Sequence, residues 1–152
     1  MNDMLIGGIE KREIVVVDYD PLWPEKFQKH ARLIAQALGL KALCVDHVGS
    51  TSVPGLAAKP IIDVVVVVEN SGDEAAYLPA LLAAGYILRV REPDWYQHRM
   101  LRTPQLDVHV HIILKSHLPM MLLLWGHVLL YLLKLGHTGM EQFRPFCSRK
   151  NV

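Results

Sequence analysis

The 152-residue chain carries 16 basic and 15 acidic side chains, a formal net charge of +1. That length suits a single domain, residues 1–152, able to bury about two-thirds of its unfolded surface. The balanced charge provides no drive for counterion release and so no strong sign of DNA or RNA, whereas a nucleotide or another phosphorylated small molecule needs only a local cluster.

The opening stretch, MNDMLIGGIEKREIVV, lacks a basic segment followed by a long apolar one, so no secretory signal is read there. The apolar run at 14–17 predicts a first short strand that breaks at Pro21 and Pro24. Pro24 suits the first turn of a helix, and Phe27, Ala31, Ile34, Ala35 and Leu38 then recur at helical spacing up to Gly39. Residues 42–48 read as a strand with Leu43 and Val45 on one face, which alternation extends to His47. After a GSTSVPGLAAK loop, PIIDVVVVVE is apolar on both faces, the pattern of a central strand. SGDEAAYLPALLAAG predicts a second helix, capped by Ser71 or Asp73 and closed by Gly85. YILRVRE and QHRMLRT predict two strands around the turn residues Pro93 and Asp94. LDVHVHIIL alternates strictly, with Leu106, Val108, Val110 and Ile112 on one face and Asp107, His109 and His111 on the other. The order β-α-β-β-α-β-β-β predicts an α+β fold, a mixed β-sheet with helices packed mainly on one side. An apolar C-terminal helix is expected over residues 120–133, where Gly126 and His127 interrupt a segment shorter than the roughly 20 residues of a membrane span. Membrane insertion is therefore not expected. The two cysteines, Cys44 and Cys147, have no CxxC spacing, which suits a reducing compartment and a cytoplasmic location.

Four groups of residues could carry chemistry. Gly49-Ser50-Thr51-Ser52 follows a strand, where backbone N–H groups and hydroxyls can hold phosphate oxygens with Lys59 adding charge; a plain Ser/Thr turn explains the same residues. Asp63 places a carboxylate in an apolar strand, where an ionised group is costly unless paired or metal-bound. Asp107, His109 and His111 share a strand face at steps of about 7 Å; with Asp63 they could bind a divalent ion, or they could be a solvated edge. Carboxylates favour magnesium or manganese and imidazoles favour zinc. Arg89, Arg91, Trp95, Tyr96, His98, Arg99 and Arg102 form a basic and aromatic group suited to phosphate, or an ordinary hairpin face.

HVGSTSVPGLAAKPIIDVVVVV, the later GYILRVREPDWYQHRMLRTPQLDVHVHI and the opening DYDPLWPEKFQKHARLI together resemble the GrpB family over residues 14–112. The family is similar to the nucleotidyltransferase superfamily, with its Gly-Ser after one strand, Asp-x-Asp on the next and a third acid later. The resemblance implies a nucleotidyltransferase-like fold and a metal-dependent nucleotidyl or phosphoryl transferase using Mg²⁺ or Mn²⁺. It implies that Gly49, Ser50, Thr51, Ser52, Lys59, Arg91, His98 and Arg99 hold phosphate or substrate, that Asp63, Asp107 and His109 bind metal, and that Asp63 and His111 are catalytic. Val65 stands where the second acid of Asp-x-Asp would be. That favours an alternative, a nucleotide- or phosphometabolite-binding module without efficient chemistry.

The tail from residue 113 departs from the charged amphipathic helix with which GrpB-like chains continue. We hypothesise a frameshift in the gene. Translating the other two frames beyond codon 112 tests it, and finding no charged helix in either would refute it. The Leu-rich tail also raises a third possibility, interaction with a protein partner or a membrane surface, and the sequence leaves the oligomeric state open.

Overall fold

The computed structural model describes residues 4–117. The expected apolar helix over 120–133 and the rest of the chain from residue 118 lie outside the described residues. Helix α1 spans Trp23–Leu38 with Pro24 in its first turn, as its fixed φ allows. The Asp20 carboxylate launches it by accepting a hydrogen bond from the Leu22 N–H at 2.9 Å. Trp23, Phe27, Ile34 and Leu38 form the buried stripe, and Gly39 closes the helix at φ +55°.

Strand β1 covers Cys44–Val48, starting two residues later than predicted because a single 3-10 turn at Gly39–Lys41 comes first. Strand β2 covers Ile62–Val68 and is buried at every residue except Asp63. The predicted second helix is shorter: a 3-10 turn at Glu74–Ala76 precedes α2, Leu78–Ala83, because Pro79 can occupy only the first turn of a helix. Neither Ser71 nor Asp73 caps it; instead Asn70 accepts from the Gly72 N–H at 3.0 Å. Strands β3 (Ile87–Glu92) and β4 (His98–Arg102) form the expected hairpin, and β5 runs over Val108–Leu114.

The predicted first strand does not form. Ile14, Val15 and Val16 are exposed, and only Val17 pairs, through mutual backbone bonds with Ala58 at 2.9 and 3.0 Å. Its one partner, Ala58, lies on a loop outside the strands, so the run gains no ladder.

The five strands lie in the order β1-β2-β5-β4-β3, with β2 and β5 parallel and the other neighbours antiparallel. Alternation then divides the sheet into two faces. Ile62, Val64, Val66, Val68, Leu88, Leu101, Val108, Val110 and Ile112 meet α1 and α2 in the main core. The opposite face carries Cys44, Val48, Val65, Val67 and Ile113 in a second buried cluster. Among the described residues, α1 and α2 therefore serve one face, and the polar residues of β2 and β5 collect on the other.

Candidate metal and phosphate site

Parallel pairing sets Asp63 on β2 opposite His109 on β5, and Val65 opposite His111. The side chains converge on the face opposite α1 and α2: Asp63 Oδ1 lies 3.4 Å from His109 Nδ1 and 3.4 Å from His111 Nε2. One ligand atom from each of the three lies within 4.8 Å of the others, the spacing of a mononuclear metal site. Burial pushes the Asp63 pKa up, but hydrogen bonds and charge from His109 and His111 outweigh it and bring it down to about 2.

A hydrogen-bonded chain extends from this cluster across β4. His111 Nδ1 lies 3.0 Å from His98 Nε2, and His98 Nδ1 lies 2.6 Å from the Glu92 carboxylate. Burial, then the neighbouring His111, lower the His98 pKa, against the opposing pull of Glu92. The tautomers follow by bookkeeping of protons. Glu92 can only accept, so neutral His98 donates from Nδ1 and accepts at Nε2. His111 then donates from Nδ1, which turns the lone pair of its Nε2 towards Asp63. At 3.4 Å from the Asp63 carboxylate, this nitrogen is placed to bind a metal ion held between the two. The donor set, two imidazoles and one carboxylate, fits a transition metal better than magnesium. The other nitrogen of His109, Nε2, is approached by Arg12 Nη2 at 3.5 Å.

The loop after β1 brings the glycine-serine motif to the same place. Val48 pairs with Asp63, so Gly49 follows directly beside the carboxylate. Gly49 has φ +78°, and a Cβ there would lie 2.8 Å from Asp63 Oδ2. Only glycine meets both requirements. Of the three hydroxyls, two shape the loop. Thr51 donates to the Ile61 carbonyl at 3.2 Å and so accepts from His47 Nε2 at 3.0 Å, while Ser52 donates to the Gly49 carbonyl at 2.6 Å. His47 is held neutral, its pKa lowered to about 4 by burial, and stacks on Phe27 with ring centres 4.9 Å apart. Among the described residues, the Ser50 hydroxyl makes no hydrogen bond and remains available to a ligand.

Other expected site residues are elsewhere. Arg91 and Arg99 project to the helix-covered face, where both bind Glu74 at 2.6–2.8 Å. The hydrogen bond from Arg91, aided by Arg99 against burial, holds the Glu74 pKa at about 2. Asp107 precedes β5 after a turn with Leu106 at φ +63°; its carboxylate turns to Lys26 on α1 at 2.6 Å and to Thr103. It therefore stands apart from the Asp63–His109–His111 cluster. Lys59 is exposed on the loop. Val65 is fully buried, so the position of a second acid is part of the apolar cluster.

Some residues of the site carried weaker sequence signals. Glu92 pairs with His98 across the hairpin, which the turn at Pro93–Asp94 could have indicated. Arg102 shares the strand face of His98, four residues along β4. Arg89 reaches the same region through a β-bulge between Leu88 and Val90, which alternation cannot reveal. Both contact Glu10 on the N-terminal segment, beside a cavity of about 240 Å³ whose walls include Arg12, Met100 and His109.

The family profile described as GrpB protein matches residues 13–124. The match extends past residue 112, where the motif resemblance was expected to end, so residues 113–124 belong to it as well. A UPF0157 protein of Halalkalibacterium halodurans is 53% identical over 118 residues, 76% of this chain and 60% of that protein. The crystal structure of the conserved protein GrpB from Enterococcus faecalis superposes with a TM-score of 0.64 at 36% identity, covering 71% of this chain and 66% of that one. A dephospho-CoA kinase of Mycolicibacterium paratuberculosis is 41% identical over 81 residues, 51% of this chain but 20% of that protein. The chain spans about three-fifths of the length of the Halalkalibacterium relative.

Proposed function

The chain belongs to the GrpB family, and from that premise we propose that it binds one divalent transition-metal ion at Asp63, His109 and His111 and handles a phosphorylated small molecule or nucleotide beside it. The observation that carries this reading is the convergence of the three side chains at 3.4 Å, with the Glu92–His98 chain turning the His111 lone pair inward. Mn²⁺ suits the donor set better than Mg²⁺, since two of the three ligands are imidazoles. When bound, such an ion would supply Lewis-acid polarisation of a phosphoryl oxygen.

The chain's own residues do the remaining work. Glu92 and His98 fix the tautomer and orientation of His111, as outer partners of metal ligands commonly do. Gly49 lets the loop lie against Asp63, the His47–Thr51–Ile61 bonds hold that loop in shape, and Ser50 presents a free hydroxyl. The reaction class that fits is phosphoryl or nucleotidyl transfer in a nucleotidyltransferase-like setting. The buried Val65 favours the second reading, binding of a phosphometabolite without efficient transfer, because a two-metal clamp has no second acid there. A relative named as a dephospho-CoA kinase is compatible with a phosphate-bearing ligand, although the shared stretch is a fifth of that protein.

Thermal unfolding in Mn²⁺, Zn²⁺ or Mg²⁺, with and without ATP, GTP, CTP or UTP, tests the proposal. A ligand at 100 times its dissociation constant stabilises the native state by about 2.7 kcal/mol. Wild type should gain several degrees in Mn²⁺, and Asp63→Asn should gain none. If no metal shifts the wild-type melting temperature, or if Asp63→Asn responds equally, the metal reading fails.

A further inference from the structure

The N-terminal segment at residues 5–12 crosses, as a strap, the face of the sheet opposite α1 and α2. Its backbone holds are few: Ile6 N–H bonds the Arg89 carbonyl at 2.8 Å, Leu5 forms an isolated bridge to Val90, and the Met4 carbonyl accepts from Arg91 N–H at 2.9 Å. Of its apolar side chains, Ile6 packs against the main core, while Leu5 stays 48% and Ile9 83% exposed. Hydrophobic burial therefore holds only the start of the strap. Beyond Ile6, what holds it is charge. Arg89 and Arg102 have side chains only 8% and 11% exposed, and both reach the Glu10 carboxylate. Arg89 is further satisfied by the carbonyls of Ile6 and Gly8, whereas the buried Arg102 Nε has no hydrogen-bond partner among the described residues.

Two nearly buried guanidinium groups around one carboxylate, with a donor left over, are a poor match for a carboxylate and a better one for a group with three or more oxygens. Arginine forks are suited to phosphate. Arg102 is the cross-strand neighbour of His109, so an anion held here would lie beside the metal ligands. Arg12, the third cation, already touches His109 Nε2. The family match begins at residue 13, so Arg89 and Arg102 lie inside it and Glu10 lies outside it. The acid that neutralises these arginines is supplied from beyond the matched region.

We infer that the pocket between this strap and strands β3 and β4 is a binding site for a phosphate group, with Arg89 and Arg102 as its ligands and Glu10 occupying it as a displaceable internal anion. The inference deepens the proposed function and rests on it only for the neighbouring metal; the arginines bind phosphate without one. A cavity of about 240 Å³ suits a small phosphometabolite and falls short of the 300 Å³ or more typical of larger ligands.

The test uses the full chain in EDTA, with inorganic phosphate and pyrophosphate as probes against chloride at matched ionic strength. Glu10→Gln should lower the melting temperature, because two cations lose their counter-charge, and phosphate should restore it. Its apparent phosphate affinity should exceed that of wild type by about tenfold or more, since the competing internal anion is gone. Adding Arg102→Gln should abolish the gain. A phosphate response in Glu10→Gln no larger than in wild type, or one that survives Arg102→Gln, overturns the inference. Should Glu10→Gln fail to fold, amide exchange at Ile6 in wild type decides: phosphate should accelerate it, and an unchanged rate overturns the displacement. Because EDTA removes metal from every arm, failure here leaves the Mn²⁺ result standing, and failure of the Mn²⁺ test leaves this one standing.

Discussion

Replacing Gly49 by Ala probes the contact on which the site depends. Two costs apply. At φ +78° an alanine pays the left-handed penalty, about 1–2 kcal/mol. Its Cβ also lies 2.8 Å from Asp63 Oδ2, 3.4 Å from Cβ and 3.5 Å from Cγ. Asp63 cannot step aside freely, because its backbone is paired with both Val48 and His109 and its carboxylate faces two imidazoles. Forcing an extra methyl group into such a fit costs about 1–3 kcal/mol more. Gly55 supplies the control. Its φ is +79°, but a Cβ there meets nothing within 4 Å, so Gly55→Ala carries only the backbone cost. The difference between the two variants isolates the Asp63 contact.

That difference of about 1–3 kcal/mol corresponds to about 2–12 °C in melting temperature for a chain of this length. Thermal unfolding followed by circular dichroism at pH 7 reads it directly. Truncating the opposing side chain should then relieve the clash: Asp63→Ala in the Gly49→Ala background should recover most of the excess, a coupling that a double-mutant cycle measures. If Gly49→Ala melts within about 1 °C of Gly55→Ala, or if the cycle shows no coupling, the loop does not lie against Asp63 and the site loses its central contact.

Two further predictions concern charges around the sheet. The folded pKa of Glu74, about 2, lies below its ordinary 4.5, so its contribution is present above pH 4.5 and is lost as pH falls from there towards 2. The pair is partly open to water, and the contribution is on the order of 1–2 kcal/mol. Glu74→Gln should therefore melt lower at pH 7 and show a shallower loss of melting temperature between pH 4.5 and 2; an unchanged slope would disprove the assignment. Glu92→Gln keeps an oxygen for His98 but removes the charge that orients the chain to His111. Mn²⁺ affinity, read by isothermal titration calorimetry, should fall about 10- to 100-fold without loss of the fold, and an unchanged affinity would mean that His111 is positioned by other contacts.

Legibility in the sequence followed periodicity. Helix α1 was readable because Phe27, Ile34 and Leu38 repeat at helical spacing and Pro24 marks a first turn, and these residues are in the core. The alternation of β5 placed His109 and His111 on one face, and they share it. Asp107 follows the same parity, yet the turn at Leu106, φ +63°, directs it to Lys26; alternation has no information about a residue before the first pair of a strand. Residues 14–17 had the composition of a strand but meet only the loop residue Ala58, and which segments pair is a property of the whole sheet.

The arginines make the same point about chemistry. Arg91 and Arg99 were expected at the phosphate, yet their face of the sheet is the helix face, where Glu74 neutralises both. Regular alternation from Arg91 would also put Arg89 there. The bulge between Leu88 and Val90 breaks that parity, so Arg89 joins Arg102, Glu10 and His109 on the opposite face. One irregular residue in β3 therefore decides which arginines stand near the candidate metal ligands. Such a bulge leaves no period in the sequence, because it is a shift of pairing register between β3 and β4 rather than a pattern of residue types. The motif residues Gly49 and Asp63 escaped this uncertainty for the opposite reason. They sit at the junction of two strands in unbroken register, so the contact follows once β1 and β2 are paired.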